Sequence, residues 1–406
     1  MRQYGLMGEK LGHSYSPQIH GLLAGYPYTL CEVSPERLPQ FLRETSLSGM
    51  NVTIPYKKAV IESCADLSEA ARKIGSVNTL VRREDGWYGD NTDYYGFCYM
   101  VKASGIPIAG KKVLVLGNGG VSLTVQQALR DLQAGQVVVI SRRGEDHYGN
   151  LERHADAAVL VNTTPVGMYP NNGRSVVDLA QFPNLVGVLD LIYNPDRTAF
   201  LLQAQERGVA CMGGLVMLVA QAKRAAELFT GTAIADCRID EITRILRQQM
   251  LNIVLVGMPG CGKSTVGRQL AELLHRPFVD ADEVLAERAG CTITEIFREQ
   301  GEEAFRALET EVLRDLGKRS GIVLATGGGC VTRMENYPAL HQNGRIFWLQ
   351  RDLGKLPVNG RPLSQSNRLE DLYARRKAAY ERFADGIVDN NGGCGDAVAR
   401  ILEELQ

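Results

Sequence analysis

Leu251-Asn252-Ile253-Val254-Leu255-Val256-Gly257-Met258-Pro259-Gly260-Cys261-Gly262-Lys263-Ser264-Thr265 reads as a buried strand, a glycine-rich turn and the start of a helix. Gly257 to Ser264 fits G-x-x-x-x-G-K-[ST], in the strand-then-helix context that motif requires. Glycines let successive backbone N–H groups curl toward phosphate oxygens, and the helix that follows adds its dipole. Gly260, Cys261, Gly262, Lys263, Ser264 and Thr265 are therefore the candidate nucleotide-binding residues. Lys263 suits β- and γ-phosphate charge, and Ser264 suits magnesium. Cys261 reads as a small residue that the loop tolerates; the rival reading is a redox-sensing thiol.

On either side of this stretch, strand-like runs alternate with helical ones, which predicts an α/β chain. Two more strands run into glycines: Lys112 to Leu116 before Gly117-Asn118-Gly119-Gly120, and Ile322 to Thr326 before Gly327-Gly328-Gly329. An amphipathic helix over Asp240 to Met250 closes one part, and the junction at residue 250 is short. At about 150 residues per domain, 406 residues predict two or three domains. The expected division is 1–104, 105–219 and 251–406, with helices from 220–250 packing back on the first.

Lysine plus arginine number 45 and aspartate plus glutamate 46. That balance argues against a nucleic-acid partner, whose backbone demands a basic surplus. No apolar run approaches the roughly 18 residues of a membrane span, and Met1 to Gly5 lacks the apolar core of a signal peptide. The 9 cysteines are scattered and never spaced C-x-x-C, so a reducing cytoplasm is expected and a zinc site is not. Glycine is in excess, 43 of 406, which points to several tight loops approaching ligands.

Beyond the phosphate loop come Asp280-Ala281-Asp282, Gly301-Glu302-Glu303-Ala304-Phe305-Arg306, the triple glycine, Gly360-Arg361-Pro362-Leu363 and Arg375-Arg376-Lys377. Two carboxylates at i and i+2 on a strand end can serve a metal and a substrate hydroxyl separately. Together these motifs resemble shikimate kinase across 251–406. The resemblance implies a P-loop kinase domain with a parallel sheet that uses ATP and Mg2+. It implies magnesium at Asp280 and Ser264, the shikimate diol on Asp282, and its carboxylate on Arg306 and Arg376. Gly328 would lie against the substrate and Arg361 on the transferring phosphoryl group. Paired arginines suit a carboxylate, and Asp282 can orient the attacking hydroxyl and take its proton. Gln350 to Gly360 is shorter than the usual lid. That motivates a second reading, a binding module without catalysis; retention of Lys263, Ser264, Asp282, Arg306 and Arg361 speaks against it.

In the first 250 residues, Gly117-Asn118-Gly119-Gly120-Val121 is a loose dinucleotide fingerprint. The next strand, Val137 to Ile140, ends in Ser141-Arg142-Arg143, where an NAD site wants an acid; these residues suit a 2′-phosphate and so NADP. A solvated turn is the plainer reading of the two arginines. Four polar motifs precede them: Gly12 to Pro17, Asn51 to Lys57, Gly75 to Thr79 and Gly89 to Asp93. Each alone is compatible with turn chemistry. The first places Ser14 and Ser16 on one face of an extended loop.

In this order, and with Asn162 to Met168, Asp190 to Pro195 and Gly213 to Ala222, they resemble shikimate dehydrogenase across 1–250. The resemblance implies an α/β substrate domain and a Rossmann-like NADP domain that includes Gly214. Ser14 and Ser16 would bind a substrate carboxylate, and Thr53, Asn78, Tyr193 and Gln221 the polyol. Lys57 and Asp93 would form the proton-transfer pair. The residues favour Lys57 as the shuttle and leave the opposite emphasis open. The whole chain then reads as one bifunctional, soluble enzyme that reduces 3-dehydroshikimate to shikimate with NADPH and phosphorylates shikimate with ATP. Quinate with NAD is the variant reading. The connection from Arg143 to Val161 is shorter than a full helix and strand.

Overall fold

The strands are built where the apolar runs lie, and their order decides where ligands can enter. A computed structural model describes residues 2–12, 14–356 and 369–405. The chain divides into two units, Met1–Leu246 and Arg247–Gln406, the division falling inside the helix Cys237–Met250.

The first unit has two sheets. Strands β1 (Tyr4–Gly8), β2 (Tyr28–Glu32), β3 (Gly49–Val52), β4 (Cys64–Leu67), β5 (Thr79–Arg83) and β6 (Gly86–Asp90) form a mixed sheet in the order β2-β1-β3-β5-β6-β4. Met7, Met50 and Leu80 fill its core with no exposed surface. Strands β7 (Lys112–Leu116), β8 (Gln136–Ile140), β9 (Val159–Asn162), β10 (Gly187–Asp190) and β11 (Ala210–Met212) form the second sheet, in the order β11-β10-β9-β7-β8. All its pairings are parallel. Val113 to Leu116 are wholly buried, as strands covered on both faces require. The chain order reverses at β7, so the crevice at the carboxyl ends of these strands opens over Gly117 to Gly120.

Helices Thr92–Ser104 and Leu215–Thr230 tie the two sheets together. Met217 from the second joins Phe97 and Met100 from the first in one core cluster. Between β8 and β9 the chain makes only the short 3-10 turn Leu151–His154, as the brevity of the segment demands.

The second unit holds β12 (Asn252–Val256), β13 (Phe278–Asp280), β14 (Val323–Ala325), β15 (Gly344–Gln350) and β16 (Gly386–Asp389), in the order β13-β14-β12-β15-β16. These pairings are also all parallel. Reversal at β12 sets the phosphate loop at this sheet's switch point. Two local expectations need correction. Ser16 does not lie in an extended loop; it opens the helix Ser16–Ala24, with Pro17 in the first turn, where a missing N–H costs nothing. Asp282 is not on a strand end: Asp280 ends β13 and caps the helix Ala281–Ala289, accepting the Asp282 N–H.

Asn252 is the polar residue within the β12 run and is buried. Its Nδ2 donates to the Arg319 carbonyl at 2.7 Å and its Oδ1 accepts from Ile322 N at 3.0 Å. Asn252→Ala would orphan the buried Ile322 N–H and leave the Arg319 carbonyl with only the longer bond from Asn343 at 3.5 Å. It should lower unfolding free energy by about 1–3 kcal/mol, measured by urea denaturation; an unchanged midpoint contradicts this account of the strand.

Candidate active sites

In the first unit, backbone bonds draw three loops together. Val77 N donates to the Lys57 carbonyl at 2.8 Å, Val52 N to the Asn78 carbonyl at 2.7 Å, and Asn78 N to the Asp90 carbonyl at 3.0 Å. Lys57 Nζ thereby meets Asp93 Oδ2 at 2.5 Å. Asp93 is buried in the first turn of the helix Thr92–Ser104, where the dipole favours a carboxylate.

Asn78 is the hub beside this pair. Its Oδ1 accepts from Thr92 N at 2.6 Å and from Thr79 Oγ1 at 3.1 Å, and its Nδ2 donates to Gln221 Oε1 at 3.3 Å. Thr79 also accepts from Asn51, which in turn accepts from the Tyr28 hydroxyl at 2.7 Å. Burial raises the Tyr28 phenol well above its ordinary value, opposed by a hydrogen bond with Ser16. Ser16, Asn78 and Gln221 thus belong to one polar chain. Ser14 Oγ accepts the Ser16 N–H at 3.2 Å. Thr53 directly follows β3, its N–H on the Met7 carbonyl at 2.9 Å. Tyr193 packs edge-on to Tyr15 at 6.0 Å between ring centres, and burial raises its phenol.

The glycine loop after β7 presents Asn118, Gly119 and Gly120 to solvent, with Val121 half-buried in the first turn of the helix Gly120–Asp131. Gly117 has φ +105°, and a Cβ there would lie 2.7 Å from the Thr164 methyl. That loop is braced from beneath. Asn162 Oδ1 accepts from Thr164 N at 2.9 Å, and Asn162 Nδ2 donates to Asp190 Oδ1 at 3.0 Å. Asp190 also accepts from Thr198 Oγ1 at 2.6 Å. A Cβ on Gly214 would fall 2.1 Å from the Leu191 carbonyl, so Gly214 seats the next helix against β10. Past β8, Ser141 is buried with its hydroxyl on the Arg143 carbonyl, while Arg142 is exposed. The glycine cradle and the exposed arginine fit a dinucleotide carrying a 2′-phosphate.

The second unit encloses a cavity of about 520 Å³ lined by Gly260, Gly262, Lys263, Ser264, Thr265, Asp280, Asp282, Arg306, Gly328 and Arg376. Gly262 has φ +102°, a conformation only glycine adopts freely. Lys263 Nζ donates to the Gly257 and Met258 carbonyls at 2.9 and 3.1 Å. Ser264 Oγ donates to Asp280 Oδ2 at 2.7 Å. These hard oxygens fit a magnesium ion completed by phosphate oxygens and water. Among the described residues no group of three or more His, Cys, Asp or Glu is placed to hold a metal by itself. Cys261 is fully buried beneath the loop, its carbonyl accepting from Asn390 Nδ2 at 2.6 Å. Arg376 donates to the Gly328 carbonyl at 3.0 Å. Arg361 lies outside the described residues.

One residue missing from the sequence reading is Glu309. It is 2% exposed, accepts from Arg306 at 2.6 Å, and leaves its other oxygen buried with no hydrogen-bond partner among the described residues. Burial raises its carboxyl, Arg306 pulls it down, and Asp282 adds to the rise. Its i+3 spacing from Arg306 is the signal the sequence offers.

A dinucleotide-binding oxidoreductase unit joined to a P-loop phosphotransferase unit is the class these two sites define. A family model described as shikimate kinase matches residues 259–406, and one described as shikimate dehydrogenase substrate binding domain matches residues 6–80. The shikimate dehydrogenase (NADP(+)) of Clostridium perfringens (strain 13 / Type A) is 35% identical over 268 residues, 61% of this chain and 99% of that protein. A Clostridium acetobutylicum chorismate mutase/shikimate 5-dehydrogenase fusion protein aligns with TM-score 0.58 at 38% identity, covering 61% of this chain and 97% of that one. The Thermus thermophilus shikimate 5-dehydrogenase, solved with NADP(H) and shikimate, aligns with TM-score 0.55 at 32% identity, covering 60% and 99%. The chain belongs to the shikimate dehydrogenase family and carries a shikimate kinase domain after it, a bifunctional enzyme of the shikimate pathway.

Burial pushes the Asp190 carboxyl up to about 6, against the hydrogen bonds it accepts from Thr198, Ile192 and Asn162. The folded state therefore holds this proton more tightly than the unfolded chain. The resulting stabilisation is full below about pH 4 and is lost as pH rises through 6. Asp190→Asn removes that titration. The stability difference between wild type and variant should shift with pH across this window and stay flat above pH 7, as read by denaturant midpoints; a difference constant from pH 4 to 7 contradicts it.

Proposed function

We propose that the first unit reduces 3-dehydroshikimate to shikimate with NADPH and that the second phosphorylates the shikimate 3-hydroxyl with ATP. The observation that carries this reading is the Lys57–Asp93 pair, 2.5 Å apart with Asp93 buried and Lys57 half-buried, set beside a chain of neutral hydroxyl and amide groups suited to an anionic polyol.

Ketone reduction adds hydride at carbon and a proton at oxygen. Bound NADPH supplies the hydride. Gly117 to Val121, Gly214, Ser141 and Arg142 would hold it, Arg142 at the 2′-phosphate. Lys57 donates its proton to the forming alkoxide and lowers that charge as it develops. Asp93 holds the ammonium in place and orients the hydroxyl. Ser14 and Ser16 take the substrate carboxylate, and Thr53, Asn78, Tyr193 and Gln221 the ring hydroxyls.

In the second unit, Arg306 and Arg376 grip the shikimate carboxylate, Arg306 steadied by Glu309. Gly328 contacts the ring. Asp282 orients the attacking hydroxyl and accepts its proton. Lys263 leaves the loop carbonyls for phosphate oxygens, and Arg361 is assigned the transferring group. Ser264 and Asp280 would hold Mg2+, which when bound offsets phosphate charge. The 9 cysteines are all free, which fits a reducing, cytoplasmic setting. No helix among the described residues is long and apolar enough to cross a membrane.

Lys57→Met should lower reductase kcat by about a hundredfold or more and leave ADP production from shikimate and ATP unchanged. Lys263→Met should do the reverse. Loss of both activities in either variant, with native circular dichroism, contradicts two independent sites.

A further inference from the structure

The phosphate loop has a second cation beside it. Arg351 directly follows β15 and lines the same cavity as Gly262, Lys263 and Ser264. Its Nη1 lies 3.9 Å from where a Cβ on Gly262 would stand. The other basic groups at this cavity are engaged: Lys263 on loop carbonyls, Arg306 on Glu309 and Arg376 on Gly328. Arg351 Nε, by contrast, is buried with no hydrogen-bond partner among the described residues.

Its frame is tied to the loop. Asn390 N donates to the Gln350 carbonyl at 2.8 Å, and Asp352 N donates to Asn391 Oδ1 at 2.8 Å. Asn390 Nδ2 donates to the Cys261 carbonyl inside the phosphate loop at 2.6 Å. The backbone on both sides of Arg351 is thus fastened to the segment that also fastens the loop. A buried N–H without a partner is costly, and a guanidinium beside an amide nest is matched by a phosphate, which takes two of its N–H groups at once.

We propose that Arg351 is a second phosphate-binding cation of the nucleotide site, gripping the diphosphate portion of the nucleotide from the Gly262 side of the loop. The proposal rests on the reading of this unit as an ATP-dependent kinase. It adds a residue that neither the loop motif nor the lid arginine supplies.

Isothermal titration of the full chain with ADP and, separately, with shikimate tests it, using Arg351→Ala and Arg351→Lys. Arg351→Ala should weaken ADP binding by about tenfold or more, and Arg351→Lys should recover part of that loss. Shikimate affinity and reductase activity should stay within about twofold of wild type in both. Unchanged ADP affinity in Arg351→Ala overturns the proposal, as does equal weakening of ADP and shikimate, which marks a structural role. Wild-type chain that binds shikimate but no ADP overturns the kinase reading itself and the proposal with it.

Discussion

The substrates and nucleotides proposed for this chain are all anions, and an anion taken from water must be met by hydrogen bonds or opposite charge. Both units answer that constraint in the same way. A parallel sheet reverses its strand order, a glycine turn leaves the carboxyl end of the central strand, and a helix N-terminus faces the crevice. In the first unit the turn is Gly117 to Gly120 after β7; in the second it is Gly257 to Gly262 after β12. On the reading proposed above, a few placed cations complete the match: Lys57 and Arg142 in one unit, Lys263, Arg306, Arg351 and Arg376 in the other. Such placement requires no basic surplus, in keeping with 45 basic and 46 acidic residues.

Cations in or beside a cavity need restraint when no ligand is bound, and the structure shows how three of them are held. Lys57 rests on Asp93, Lys263 on carbonyls of its own loop, and Arg306 on Glu309. Glu309 keeps one oxygen without a hydrogen-bond partner among the described residues, and Glu302 lies 3.4 Å from the other side of the same guanidinium.

The sheets are legible in the sequence because their strands are near-continuous apolar runs ending in glycine. Lys112 to Leu116 and Ile253 to Val256 need no tertiary information to be read as buried parallel strands. The phosphate loop is legible for the same reason, since its motif is contiguous. What escapes is non-contiguous or set by capping. Ser16 reads as loop because the hydroxyl-rich stretch before it looks like a turn, yet Pro17 starts a helix there. Asp280 and Asp282 differ by two residues but fall on opposite sides of a strand–helix boundary. The brace from Asp190 through Asn162 to Thr164 joins strand ends far apart in sequence. Arg351 carries no motif; its meaning comes from Asn390 and Asn391, which the fold delivers to its side.

On the proposed function, one chain makes shikimate at one site and phosphorylates it at another. The most direct measurement incubates the purified full chain with 3-dehydroshikimate, limiting NADPH, and excess ATP and magnesium, and follows NADPH and ADP separately. One ADP should form per NADPH oxidised, and none when NADPH is withheld. NADPH oxidation with no ADP, or ADP formation independent of NADPH, would contradict it.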